Sequence, residues 1–120
     1  MKLAISAKGK GLDSPLDKRF GRADVFIIYD TDTNSFEAID NRANLDLAQG
    51  AGIQSARNVV AQGVQYVITG HCGPKAYRSL SAADVKVILG ATGTVREAIA
   101  RFEAGELEVT EEPDVEGHWV

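Results

Sequence analysis

The sequence is poor in cysteine and histidine. Its 120 residues hold one cysteine, Cys72, and two histidines, His71 and His118. One cysteine excludes an internal disulfide. This set also supplies a closed structural zinc site poorly, because such sites take about four thiolate or imidazole ligands. A conventional iron–sulfur cluster asks for about four thiolates, which one chain cannot furnish. A cluster held here would rest mainly on charge and hydrogen bonds, with at most one covalent ligand, which suits transfer better than permanent ownership. Long apolar runs are missing too, and nothing approaches the ~20 apolar residues of a membrane span. The opening MKLAIS is too short an apolar run for a signal peptide, and Lys8 and Lys10 follow at once. The net charge of -4 speaks against general affinity for nucleic acid. These absences predict a protein of the reducing cytoplasm that binds neither nucleic acid nor membrane.

What is present is an ordinary globular composition, 44% hydrophobic and 25% charged. The length suits one domain, able to bury roughly two thirds of the surface of its unfolded chain. Charge is unevenly spread. Lys2, Lys8, Lys10, Lys18, Arg19 and Arg22 face Asp13, Asp17 and Asp24 in the first part, whereas the tail after Phe102 carries Glu103, Glu106, Glu108, Glu111, Glu112, Asp114 and Glu116 with no base. The chain divides into a domain over residues 1–104 and an acidic tail over 105–120, for which such composition predicts disorder.

The hydrophobic pattern changes period along the chain. Leu3-Ala-Ile-Ser reads as a buried strand, Val25-Phe-Ile-Ile-Tyr as a second, and Ser35-Phe-Glu-Ala-Ile as a half-buried third, hairpin-paired with the second across Asp30-Thr-Asp-Thr-Asn. Ile53, Ala56, Val59 and Val60 recur at helical spacing, and Gly63 sits where a helix-ending glycine belongs. Val64 to Thr69 is a fourth strand. A helix opening at Pro74 carries Ala76, Tyr77 and Leu80. Val85 to Leu89 is a fifth strand, and Thr94 with Glu97 makes a capping box for a third helix. The order βββαβαβα asks for antiparallel neighbours at the start and right-handed parallel crossovers at the end. One mixed α/β sheet of order 3-2-1-4-5, strand 2 antiparallel and helices on both faces, meets both demands. This is the three-layer, ribonuclease-H-like arrangement. It brings residues 7–24, 41–50, 70–74 and 90–93 to one edge, outside the carboxyl ends of the strands, where open α/β sheets bind ligands.

The loop Gly70-His71-Cys72-Gly73-Pro74-Lys75 joins a strand to a helix start, where backbone N–H groups and the helix dipole favour an anion. Cys72 at a helix start beside an imidazole has more thiolate character than an isolated cysteine. Two readings stand: an anion cradle with Cys72 or His71 as a metal ligand, or a tight turn with an incidental cysteine. Gly90-Ala-Thr-Gly93-Thr94 fits an N-cap better than an anion cradle, and it matches neither a P-loop nor a dinucleotide fingerprint. In Asp17-Lys18-Arg19-Phe20-Gly21-Arg22, Phe20 is a candidate anchor, and Arg19 and Arg22 could offer planar forks to an anion. No Ser-His-Asp or Cys-His-Asp set is evident from spacing. The first strand lacks the carboxylate that ribonuclease-H-like nucleases place there for two-metal cleavage.

Ser14-Pro-Leu-Asp-Lys-Arg-Phe-Gly-Arg-Ala, Phe26-Ile-Ile-Tyr-Asp, Gly50-Ala-Gly-Ile, the Gly70, Gly73, Pro74, Lys75, Ala76 pattern and Gly93-Thr-Val-Arg-Glu-Ala together resemble the dinitrogenase iron-molybdenum cofactor biosynthesis family, and within it the orange-protein branch. The resemblance spans roughly residues 1–104. It implies a ribonuclease-H-like fold and a non-catalytic carrier, related to nitrogen fixation, that loosely holds a metal–sulfur cluster for storage or transfer. The cluster would be an iron-molybdenum cofactor precursor (Mo/Fe/S) or a molybdenum–copper sulfide (Mo/Cu/S). It implies binding positions at Arg19, Gly21, Arg22, Gly70, Gly73, Pro74 and Lys75, to which the loop adds His71 and Cys72 as candidate metal ligands. Residues between the two glycines vary in the family, and the tail with His118-Trp119 lies outside its pattern. Expected partners are cofactor donor and acceptor proteins, with a homodimer as one way to double the ligand supply. Two competing readings are an interaction module contacting a cytosolic ATPase or cell-division partner, and an enzyme acting on a phosphorylated small molecule through the glycine turns.

Overall fold

The computed structural model describes residues 1–42 and 50–111. The strands are β1 (Lys2–Ala7), β2 (Val25–Asp30), β3 (Ser35–Asp40), β4 (Tyr66–Ile68) and β5 (Lys86–Ile88); the helices are α1 (Ala51–Val60), α2 (Pro74–Ala82) and α3 (Val95–Glu103). The sheet order is β3-β2-β1-β4-β5. β2 is antiparallel to β1 and β3, and β4 is parallel to β1 and β5, as the pattern predicts.

Alternation along the strands builds two separate cores. Ala4, Phe26, Ile28, Val67 and Val87 face α1 and α2, meeting Ala56, Val59, Ala76, Tyr77 and Leu80. Leu3, Ile5, Val25, Ile27, Ile68 and Ile88 face α3, meeting Val95, Ala98 and Ile99. One helix layer lies on each side of the sheet because successive strand residues point to opposite faces.

Two differences from the sequence reading concern the ends of elements. β4 and β5 are shorter than their apolar runs, although Val64 and Val85 are buried and Thr69 donates its N–H to Ile88 O at 3.0 Å. The start of the acidic tail is ordered. Leu107 packs on the α3-side core, Thr110 donates its N–H to Val87 O at 2.7 Å, and the Tyr77 hydroxyl donates to Thr110 O at 2.8 Å. Composition predicts solvation of these residues, but the open edge of β5 offers unpaired backbone groups for the segment to satisfy. His118 and Trp119 lie outside the described residues.

Candidate functional site

The first loop is organised by its neighbours, not by a pattern of its own. Leu16 bridges to Ala7 and donates its N–H to Gly93 O at 2.9 Å. Val95 and Arg96 donate their N–H groups to Ser14 O and Leu12 O, at 3.0 and 2.7 Å. Thr94 and Glu97 complete the reciprocal capping box. The start of α3 is therefore closed, as the N-cap reading of Gly90 to Thr94 expects. Arg96 Nε donates to Asp13 Oδ1 at 2.7 Å, and this hydrogen bond holds the Asp13 carboxyl below its ordinary range.

Further along, the loop runs beside the Gly70 turn. His71 donates its N–H to Lys18 O at 2.7 Å, Phe20 donates to His71 O at 3.2 Å, and Arg19 and His71 pair as in a parallel sheet. Gly70 is required here, because a Cβ on it would lie 2.6 Å from the Lys18 Cα. Beneath this ladder, the buried Ser6 hydroxyl lies 2.6 Å from Asp17 O and 2.7 Å from Thr69 Oγ1. Ser6 is the donor toward both, its one proton shared between the Asp17 carbonyl and the Thr69 hydroxyl.

Phe20 drops into the α1/α2-side core, its ring centroid 5.1 Å from that of Phe26. It opens a 3-10 turn over Phe20–Arg22 that packs on α1. Gly21 makes this approach possible, since its Cβ would stand 2.9 Å from the Gly52 Cα. A second buried polar pair supports the end of β3: Asn41 Nδ2 donates to Ala23 O at 2.9 Å, and Ser55 Oγ donates to Asn41 Oδ1 at 3.2 Å.

These contacts leave an open groove of about 690 Å³ between the starts of α1 and α2. Its lining is Gly21, Gly50, Gly52, Ile53, Gly73, Pro74, Lys75, Ala76 and Arg78. Neither helix start carries a side-chain cap or an acidic residue in its first turn, in contrast to α3. Lys75 and Arg78 are the charged residues among the described lining, one turn apart on α2, and no described carboxylate accompanies them. Two helix starts of positive partial charge and two cations make this a place for an anion.

The residues singled out in the sequence are divided by the structure. Gly21, Gly73, Pro74 and Lys75 line the groove. Arg19, Gly70 and His71 belong to the adjoining ladder, and Arg22 is exposed at the end of the 3-10 turn. Cys72 departs from the expected placement of a metal ligand: it is 1% exposed and packs in the α1/α2-side core. Neighbours on an extended segment point to opposite sides, so the fold that exposes His71 buries Cys72. Among the described residues no group of three or more His, Cys, Asp or Glu side chains could hold a metal ion. Sequence reasoning missed Gly50, Gly52 and Ile53 as lining residues, although the Gly50-Ala-Gly-Ile motif marked the place. It also missed Arg78, for which the spacing of three from Lys75 on a helix was the available signal.

No helix among the described residues is long and apolar enough to cross a membrane. Known proteins resemble this chain over most of its length. The orange protein of Desulfovibrio gigas, solved in its apo form, is 39% identical and superposes with a TM-score of 0.93 over 95% of this chain and 96% of its own. A Thermotoga protein assigned to NifB, solved by NMR, is also 39% identical, with a TM-score of 0.81 over 95% of this chain and 98% of its own. An uncharacterised protein of Methanocaldococcus jannaschii is 31% identical over 96 residues, 78% of this chain and 80% of its own length. The sequence profile of one family, dinitrogenase iron-molybdenum cofactor, matches residues 1–105. With that match over most of its length, the chain belongs to the dinitrogenase iron-molybdenum cofactor family.

Proposed function

We propose that this protein is a small cytoplasmic carrier that binds an anionic metal–sulfur cluster in the groove between α1 and α2 and passes it between donor and acceptor proteins. The observation that carries this is the meeting of two uncapped helix starts with Lys75 and Arg78 in one groove. The lining fits such cargo in a particular way. Among the described residues it offers N–H donors, two cations and the apolar surfaces of Ile53, Pro74 and Ala76, but no thiolate, imidazole or carboxylate. A cluster must therefore arrive with its sulfide ligands in place. Sulfide-bound molybdenum carries diffuse, weakly hydrated charge that can both accept N–H hydrogen bonds and lie against apolar side chains. A molybdenum–iron–sulfur precursor or a molybdenum–copper sulfide meets these conditions. Holding by charge and hydrogen bonds leaves the cargo exchangeable.

The test is anaerobic titration of the full chain with tetrathiomolybdate and copper(I), read by visible absorption and by metal analysis after gel filtration. Stoichiometric retained metal is expected. Loss of Lys75 or Arg78 to alanine should weaken binding about tenfold or more each, the scale of a charge-assisted hydrogen bond. Affinity should fall with salt. Cys72→Ala should still retain metal, because the thiol is in the core. A colourless protein with no retained metal would refute the molybdenum–copper sulfide as cargo and leave a molybdenum–iron–sulfur precursor as the remaining cluster.

A further inference from the structure

Asp17 is the one charged side chain among the buried residues described, 2% exposed. A carboxylate is seldom buried without a partner, and breaking such a pair harms more than forming it helps. Its partner is Arg19. Asp17 Oδ1 accepts the Arg19 backbone N–H at 2.9 Å, closing an Asx turn, and lies 3.4 Å from Arg19 Nε. Asp17 itself is clamped to β1: its N–H donates to Ser6 O at 2.8 Å, and its carbonyl accepts from the Ser6 hydroxyl. The carboxylate is fixed to the sheet, so the arginine must follow it. The Arg19 side chain is 60% exposed, and its guanidinium touches Asp17 through Nε, which leaves both Nη groups outside any hydrogen bond or ion pair among the described residues. Arg19 stands two residues before Gly21, whose backbone lines the groove.

We propose that Asp17 is a positioning residue for the cargo site, holding the Arg19 guanidinium by Nε so that its two Nη groups stand as a preformed fork for the anion at the margin of the groove. The proposal rests on the carrier reading. A planar fork suits an anion that presents two adjacent acceptor atoms on one centre, as the paired sulfurs of a thiomolybdate do. Fixing the fork in advance removes the side-chain ordering that binding would otherwise require.

The decisive property is the sign of the effect of Asp17→Asn. Removing a negative charge beside an anion site should tighten binding if charge alone matters. Removing the anchor of the fork should weaken it. Asparagine keeps an oxygen that accepts the Arg19 N–H, so the turn survives while the charged partner of Nε is lost. The experiment titrates the full wild-type chain, Asp17→Asn, Arg19→Ala, the double variant and Arg19→Lys with tetrathiomolybdate and copper(I), each checked by thermal unfolding. Asp17→Asn is expected to bind about tenfold more weakly, the scale of one charge-assisted contact. Arg19→Lys, which keeps the charge and loses the fork, should weaken binding comparably. In the Arg19→Ala background, Asp17→Asn should cause no further weakening. Binding by Asp17→Asn as tight as wild type or tighter, or the same loss with and without Arg19, overturns the proposal alone. If Asp17→Asn fails to fold, Arg19→Lys at its exposed position decides, and wild-type affinity there overturns the proposal. A wild type that takes up no probe overturns the carrier reading for a thiomolybdate cargo, and this proposal with it.

Discussion

Gly21→Ala tests the packing that shapes the groove. The added Cβ would stand 2.9 Å from the Gly52 Cα and 3.1 Å from its nitrogen. Unstrained carbon–carbon contacts lie near 3.5–4.0 Å, so the 3-10 turn or the start of α1 must retreat by roughly 0.6 Å or more. The obstacle is backbone, which cannot rotate aside as a flexible side chain can. Gly21 does not have a positive φ, so alanine meets no conformational penalty of its own and the cost is steric. Overpacking of this kind costs about 1–3 kcal/mol. Unfolding entropy for 120 residues is about 0.25 kcal/mol/K near the midpoint, so Tm should fall by roughly 4–12 °C. Gly11→Ala is the matched control. Its Cβ would meet nothing within 4 Å, and it too lacks a positive φ. It should be neutral or should stabilise by about 0.4–1 kcal/mol through the unfolded chain. Circular dichroism melts of the two variants beside wild type make the measurement. A Gly21→Ala protein that melts within about 1 °C of wild type would refute the steric argument.

Thr94→Ala removes the hydroxyl half of the α3 capping box and should cost about 1 kcal/mol in urea unfolding, with little change in slope. Cys72 should react with a thiol reagent slowly in the native protein and at once in denaturant, since it is 1% exposed; rapid stoichiometric reaction in native buffer would contradict its placement. Tyr77→Phe deletes the hydrogen bond to Thr110 O and should speed amide exchange at Thr110 and lower stability by about 1 kcal/mol. Asp13 should titrate below the ordinary value of 3.8 in a carboxyl NMR titration, and Arg96→Ala should bring it back up. Because the folded value is the lower one, the contribution of this pair is present above the ordinary value and is lost as pH falls through the folded value. Asp30 and Asp40 are shifted in the same direction by backbone N–H groups, so their contributions also fade on the acid side.

Where the sequence sufficed, the controlling forces are local or periodic. The short apolar run Val25 to Tyr29, the alternation in Ser35 to Ile39 and the helical spacing of Ile53, Ala56, Val59 and Val60 define strands and helix without knowledge of the partner. Thr94 with Glu97 marks a helix start because both partners of that box are three residues apart. The strand order follows from handedness and chain connection, which local elements already constrain. The convergence of loops at one sheet edge follows from that order.

The site itself was legible in pieces. Lys75 and its glycines stood out because a strand–turn–helix with an uncapped start is an anion motif wherever it occurs. Only the tertiary structure decided the rest, because it depends on distances between segments far apart in the chain. It set Gly21 against Gly52, brought a second helix start into the groove, and turned Arg78 toward it. It also buried Cys72 beside Phe20 and made Asp17 a clamped carboxylate, where the sequence shows only an exposed-looking run of charges. Periodicity reports which way a residue faces along its own element. What lies opposite, and at what distance, is fixed by packing between elements, and that packing made a groove out of three separate turns.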